Sequence, residues 1–174
     1  MSNSAKAAPK PKPLTIMPPI DAVSDVVIAD ATQDDLYWMP LAPDVWTRPV
    51  LFNVRQGSWV NIIKARGNGI VSRHYHPAPV TGFTLDGAWH YPEHDWVATV
   101  GTFVYEPAGD THTLTVHPSA GFMMCLFHNF GPIIYVDEEG RQVGMDDVFT
   151  RLEKFKAHCE QVGIAADYVK QMIR

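Results

Sequence analysis

Eight histidines are spread along this 174-residue chain, and two of them, His74 and His76, stand two apart in the segment GIVSRHYH. The segment has strand character, and residues i and i+2 of a strand project to one face, so both imidazoles can reach one metal ion. Taken alone, the pair could equally be two surface histidines, or one satisfied core histidine with a neighbour. The segment GTFVYEPAGDTHTL adds to it: Gly101 opens a strand, Pro107 and Gly109 make a turn, and His112 follows at the start of the next strand. A third imidazole on an adjacent antiparallel strand completes a three-nitrogen face around a metal. Cys125 and Cys159 are too few and too far apart for a disulfide framework or a cysteine metal knuckle, so a metal must use other ligands.

Elements must hold these residues in place. Over residues 50–136, short strand-like runs alternate with Gly, Pro, Asn and Asp at intervals that suit an antiparallel sandwich or barrel. Helical spacing comes only later. Val148, Leu152, Phe155, Cys159 and Val162 recur at offsets of 4, 3, 4 and 3, with Asp146 or Asp147 as the cap and Gly163 as the stop. Residues 1–13 carry almost nothing to bury and read as a disordered tail. Residues 14–174 read as one domain, with a Pro-rich extended arm to about Pro49, a barrel core over about 50–136 and a helical region over 146–174. Strand parity turns Val80, Gly82 and Thr84 inward, and gives the last barrel strand either Met124, Leu126 and His128 or Met123, Cys125 and Phe127 as its inner set. Trp89, Tyr91 and Trp96 are candidates for the mouth of a mostly apolar pocket, which suits an aromatic substrate.

Gly67, His74, His76 and Gly87 resemble the first cupin motif, and Gly101, Pro107, Gly109 and His112 resemble the second. The resemblance implies an all-β fold, the cupin double-stranded β-helix or jelly-roll barrel, with an N-terminal extended arm and a C-terminal helix. Two positions depart from the pattern. Val80 stands where the first motif usually has its metal-binding Glu, and Val116 where the second often ends in Asn. Val cannot bind a metal, so the fourth ligand is expected to be missing. Three neutral imidazoles would then leave a divalent ion its full charge and open positions on one face, enough for a bidentate substrate and O2 together. More narrowly, the run from His74 to His112, the WMPL segment, the Gly131-Pro132 exit and the C-terminal helix resemble the 2,4'-dihydroxyacetophenone dioxygenase group of cupins. That resemblance implies one Fe(II) per subunit on His74, His76 and His112, which would be both metal ligands and catalytic residues. It also implies that O2 cleaves the carbon–carbon bond in the side chain of an aryl hydroxyketone, giving an aromatic acid and formate. The alternatives are another three-His cupin dioxygenase, acting on a diketone or a thiol, or a non-catalytic metal-binding cupin. The latter resembles the domain of ChrR anti-sigma factors, to which the WMPL and GSWV segments are also similar.

The other polar candidates are weaker. Glu93, in HYPEHDW, is a candidate fourth ligand or a carboxylate that orients an imidazole; a loop carboxylate in a salt bridge is its plainer reading. Glu106 is expected to pair with Arg66 or Arg73 unless it points inward. A thiol substrate with a carboxylate would want a cationic clamp, and Arg73 has the wrong parity to be one. His90, His94, His117, His128 and His158 lack a same-face partner, and Cys125 reads as a core residue. Fourteen basic against nineteen acidic residues give a net charge of -5 without a basic cluster, which argues against nucleic acid. The longest strongly apolar stretch, 120–127, is far short of the roughly 20 residues that span a bilayer, so no membrane partner is expected. No apolar run of signal-peptide length follows the N-terminal lysines, so the cytoplasm is the expected location. The expected partners are a small aromatic substrate and O2. A second copy should cover the apolar arm, giving a homodimer or homotetramer.

Overall fold

A computed structural model describes residues 25–33, 35–67 and 70–174, the side chains of 70 and 71 excepted; the tail assigned to 1–13 lies outside them. Among the described residues the order is β1 (Met39–Ala42), β2 (Val45–Asn53), β3 (Ser58–Arg66), β4 (Ile70–Tyr75), β5 (Val80–His90), β6 (Ala98–Thr99), β7 (Phe103–Glu106), β8 (Thr111–Val116), β9 (Phe122–Asn129), β10 (Ile133–Val136), β11 (Gln142–Asp146), α1 (Val148–Val162) and α2 (Ala166–Lys170). The strands follow the path β1-β2-β3-β9-β5-β8-β4-β10-β11, with β6 and β7 both on β5. All pairings between these strands are antiparallel. The result is a curled all-β half-barrel with a C-terminal helix, as the strand spacing predicts.

Strand β5 curls the path because it belongs to both sheets. Val80 to Gly87 pair with β9, whereas Trp89 and His90 pair with β8. The change of sheet falls at a bulge between Thr84 and Asp86 and at Gly87, whose φ is +67°. A Cβ at Gly87 would lie 2.0 Å from the Phe122 carbonyl oxygen, so the bend requires glycine.

Among the described residues the sheet begins at Met39, within the segment that reads as an extended arm. Proline hides this, because Pro40 and Pro49 both lie in strands. Pro49 is tolerated at a register shift of the β2–β3 ladder, and β1 reaches β2 only over Val45 to Thr47, so β1 takes no amide from Pro49.

Two main cores flank the sheet. Inside the barrel, Ile63, Val80, Trp89, Tyr91, Leu114 and Phe127 pack together. On the other side α1 seats Val148, Leu152, Phe155 and Cys159 against Phe52 and Trp59. Asp147 caps α1 in a capping box with Thr150, and Gly163 ends it in the left-handed region at φ 78°, as the sequence spacing predicts. The polypeptide then returns to the sheet: the Phe52 and Val54 amides donate to the Met172 and Arg174 carbonyls at 2.9 and 2.8 Å. Among the described residues no helix is long and apolar enough to cross a membrane.

Candidate metal centre

Three backbone devices bring the histidines together. The β4–β8 ladder shifts register between Ile70 and Ser72, which resets the side-chain alternation ahead of His74. Ser72 takes a φ of +118°, a strained value for a residue with a Cβ, and its carbonyl accepts the His74 Nδ1–H at 2.9 Å. That bond turns Nε2 of His74 toward the cluster. His112 lies directly opposite His74 in register. His76 follows β4, and its carbonyl accepts the Gly109 amide at 2.8 Å, tying it to the turn before β8.

The outcome is a compact set. One ring nitrogen from each of His74, His76 and His112 lies within 4.8 Å of the others, and all three residues are buried. The ring of Tyr91 stacks on His112 with centroids 3.9 Å apart and planes 4° from parallel. Burial, then the neighbouring His112, pushes the His74 pKa down to about 4. Burial with the His74 and His112 charges pushes His76 to about 2. His112 is also lowered by burial, against the pull of Asp110. All three imidazoles are therefore neutral at neutral pH, the form in which histidine binds a metal.

Among the described residues the metal-competent group is the three histidines alone, as the valine at position 80 implies, but a carboxylate stands beside it. Val80 does occupy the inward motif slot, but its register partner on β7 is Glu106, which is 4% exposed and also points inward. Oε1 of Glu106 accepts the Tyr91 hydroxyl at 2.6 Å. Its Oε2 lies 3.6 Å from Nε2 of His76 and 3.5 Å from Nε2 of His112. Neither contact is an ion pair, because the imidazoles are neutral. Burial raises the Glu106 pKa to about 7, against the Tyr91 hydrogen bond. No Arg66 or Arg73 pairing forms. Glu106 Oε2 and His112 Nε2 are buried with no hydrogen-bond partner among the described residues, and such orphans cost free energy unless something else satisfies them. A divalent cation held by the three imidazoles beside this carboxylate fits that donor set.

Glu93 does not join the cluster. It is exposed, and its carboxylate accepts the Thr113 amide and hydroxyl at 3.0 and 2.8 Å, fixing the residue next to His112 instead of an imidazole. Behind His112, Asp110 lies 3.6 Å from Nδ1 and 2.8 Å from Nε2 of His94. His158 meets the Leu36 carbonyl, and His90 and His117 meet each other, away from the cluster.

His74, His76 and Glu106 open onto a cavity lined mainly by apolar side chains. Val80 and Tyr91 line it, and Phe127 shows that the last barrel strand turns Met123, Cys125 and Phe127 inward. Gly82 and Thr84 also face the interior but shape it indirectly. A Cβ at Gly82 would sit 3.0 Å from the Phe127 ring, and the Thr84 hydroxyl accepts the Trp89 indole N–H at 2.9 Å. Trp96 packs behind Tyr91 at 5.2 Å. Asn61 and Asn129, joined by a 3.0 Å hydrogen bond, add a polar patch. Tyr135 and Arg151 add another. Arg73 is exposed, as its parity requires; the cavity's guanidinium comes from α1.

A barrel of this topology with three inward histidines, two from one strand segment and one from its register partner, defines a cupin. The protein belongs to the ChrR cupin-like domain family, whose profile matches residues 26–133. It is 30% identical to an RmlC-like cupin protein from Ralstonia eutropha JMP134, with a TM-score of 0.69 over 74% of this chain and 84% of that one. A second cupin-like protein from the same organism, of unknown function, is 20% identical, with a TM-score of 0.65 over 69% and 75%. An acetylacetone dioxygenase from Acinetobacter johnsonii shares the fold at 16% identity, with a TM-score of 0.68 over 79% and 94%. No curated protein matches the sequence.

Proposed function

We propose that the protein is a non-haem Fe(II) dioxygenase, with one iron per subunit, that cleaves the carbon–carbon bond in the side chain of an aryl hydroxyketone resembling 2,4'-dihydroxyacetophenone. The products would be an aromatic acid and formate. The observation that carries this reading is the buried cluster of His74, His76 and His112 opening onto an apolar, aromatic-lined cavity. Iron bound there would supply a Lewis acid for the paired oxygens of the substrate and a path for electrons from the substrate to O2. The three imidazoles hold the ion as neutral ligands. Glu106 Oε2, which has no donor among the described residues, is placed to accept the proton that a bound hydroxyketone gives up. Val80, Leu114 and Phe127 exclude water from the aromatic ring.

Family membership supports a second reading, a domain that holds a metal without turnover. Metal analysis and an oxygen electrode separate the two. The Fe(II)-loaded protein is expected to consume O2 with aryl hydroxyketones, and 18O2 is expected to label both the aromatic acid and formate. Bound metal with no O2 uptake on hydroxyketones, diketones or thiols would remove the dioxygenase.

A cytoplasmic location goes with this reading, and the two free, buried thiols of Cys125 and Cys159 suit a reducing compartment. A homodimer or homotetramer does too. Phe83 and Phe103 face each other in register on the outer surface of β5 and β7, at 45% and 63% exposure, and a second copy would cover them. Light scattering is expected to exceed the 19.4 kDa of one subunit.

A further inference from the structure

We infer that Arg151 is a specificity-determining residue that binds an anionic oxygen at the end of the substrate remote from the histidine cluster. The inference rests on the proposed substrate site and narrows its substrate class.

Arg151 sits on the buried face of α1, is 6% exposed, and lines the same cavity as His74, His76 and Glu106. Among the described residues only one of its nitrogens finds a partner. Nη2 donates to the Tyr135 hydroxyl at 2.7 Å and lies 3.0 Å from Oδ2 of Asp146. Nε and Nη1 are buried with no partner among the described residues. A guanidinium carries five donors, and leaving them unsatisfied in an apolar wall is costly unless a ligand supplies the acceptors.

Charge points the same way. Asp146 is shared between Arg151 and Lys154, whose Nζ lies 2.5 Å from Oδ1, so two cations face one carboxylate. The carboxylate that lines the cavity, Glu106, is held by Tyr91 on the histidine side. An anion beside Arg151 would balance the excess. Tyr135 sets the spacing: its ring lies 6.2 Å from that of His74 and its hydroxyl meets the guanidinium, so one tyrosine separates cluster from cation. A substrate with an aromatic ring between its metal-binding oxygens and its anionic oxygen matches that gap. The anionic oxygen can be a carboxylate or a phenolate; Arg binds both by the same charge-assisted hydrogen bonds.

The test compares three ligands by calorimetry: 4-acetylbenzoate, 4-hydroxyacetophenone and the neutral 4-methylacetophenone. Each is titrated into the metal-free and the Zn(II)-loaded protein, wild type, Arg151→Met and Arg151→Gln. Wild type is expected to bind 4-acetylbenzoate about tenfold or more tightly than the neutral compound, the loss typical of one charged hydrogen bond. The preference should appear in both metal states and vanish in either neutral variant, whichever folds by circular dichroism. A gain for 4-hydroxyacetophenone that appears only as its phenol ionises would assign the site to phenolates. Equal binding of all three ligands by wild type, or a preference unchanged in the folded variants, overturns the inference. An anion preference without O2 consumption would remove the dioxygenase and leave the Arg151 site; O2 consumption without the preference would do the reverse.

Discussion

Replacing Tyr91 by Phe isolates one hydrogen bond of the candidate centre. The bond runs from the Tyr91 hydroxyl to Oε1 of Glu106 at 2.6 Å, and its two residues are 2% and 4% exposed. Phenylalanine keeps the ring, so the stack on His112 and the contacts with Trp89 and Trp96, 5.3 and 5.2 Å away, survive. What is lost is a hydrogen bond to an ionisable group in a dry site, about 1.5–3 kcal/mol. For a protein of this size that lowers Tm by about 3–12 °C. The assay is urea denaturation of the metal-free protein, with chelator present so that metal binding does not enter the equilibrium. The slope of free energy against urea should be unchanged. The same substitution in a Glu106→Gln background should cost only about 0.5–1.5 kcal/mol, the value of a neutral hydrogen bond. An equal penalty in both backgrounds, or one below about 0.5 kcal/mol in wild type, would show that the Tyr91–Glu106 bond does not hold the carboxylate in place.

Three further outcomes are expected. Phe155→Ala empties a fully buried position between α1 and Phe52 and should cost about 3–5 kcal/mol by denaturant titration; a cost near 1 would mean that α1 docks loosely. Burial alone would raise the Asp146 carboxyl, but the Arg151 charge, with hydrogen bonds from Lys154 and Tyr135, holds it below its ordinary value of 3.8. Its contribution to stability is therefore present above pH 3.8 and lost as pH falls through the folded value, so Asp146→Asn should flatten the acid limb of the stability curve while lowering it at pH 7. Parallel curves for the two proteins would contradict this. Gly87→Ala combines a positive φ with a Cβ 2.0 Å from a carbonyl oxygen, and is expected to prevent accumulation of folded protein or lower Tm sharply; a crystal structure with an unmoved β5 would refute the close approach.

Much of the fold is written in local signals. The strand runs, the cap at Asp147, the stop at Gly163 and the apolar stripe of α1 are properties of neighbouring residues, and they predict the elements directly. His74 and His76 share a face by strand alternation, and His112 is legible because a Pro-Gly turn leads straight into its strand. Glu106 and Arg151 are not legible in the same way. The inward turn of Glu106 depends on the register of β7 against β5, which no single strand encodes. Arg151 does leave a trace: it falls among Val148, Leu152 and Phe155, a charge on the apolar stripe, which signals a buried partner or ligand. The early strands are hidden because proline argues against a strand unless its missing amide has no neighbour to serve, and that depends on pairing.

Because Val80 and Glu106 are register partners, they are two entrances to one point in space. A carboxylate can be delivered there from either strand without moving the backbone, and a motif search that follows only one strand will score such a centre as incomplete. The proper unit for recognising a site of this kind is the rung, not the run: each inward position should be considered together with the residue across from it. In that notation the centre draws on two rungs of different strand pairs, His74 with His112 and Val80 with Glu106, with His76 beside them, and a valine in one half of a rung says nothing until the other half has been inspected.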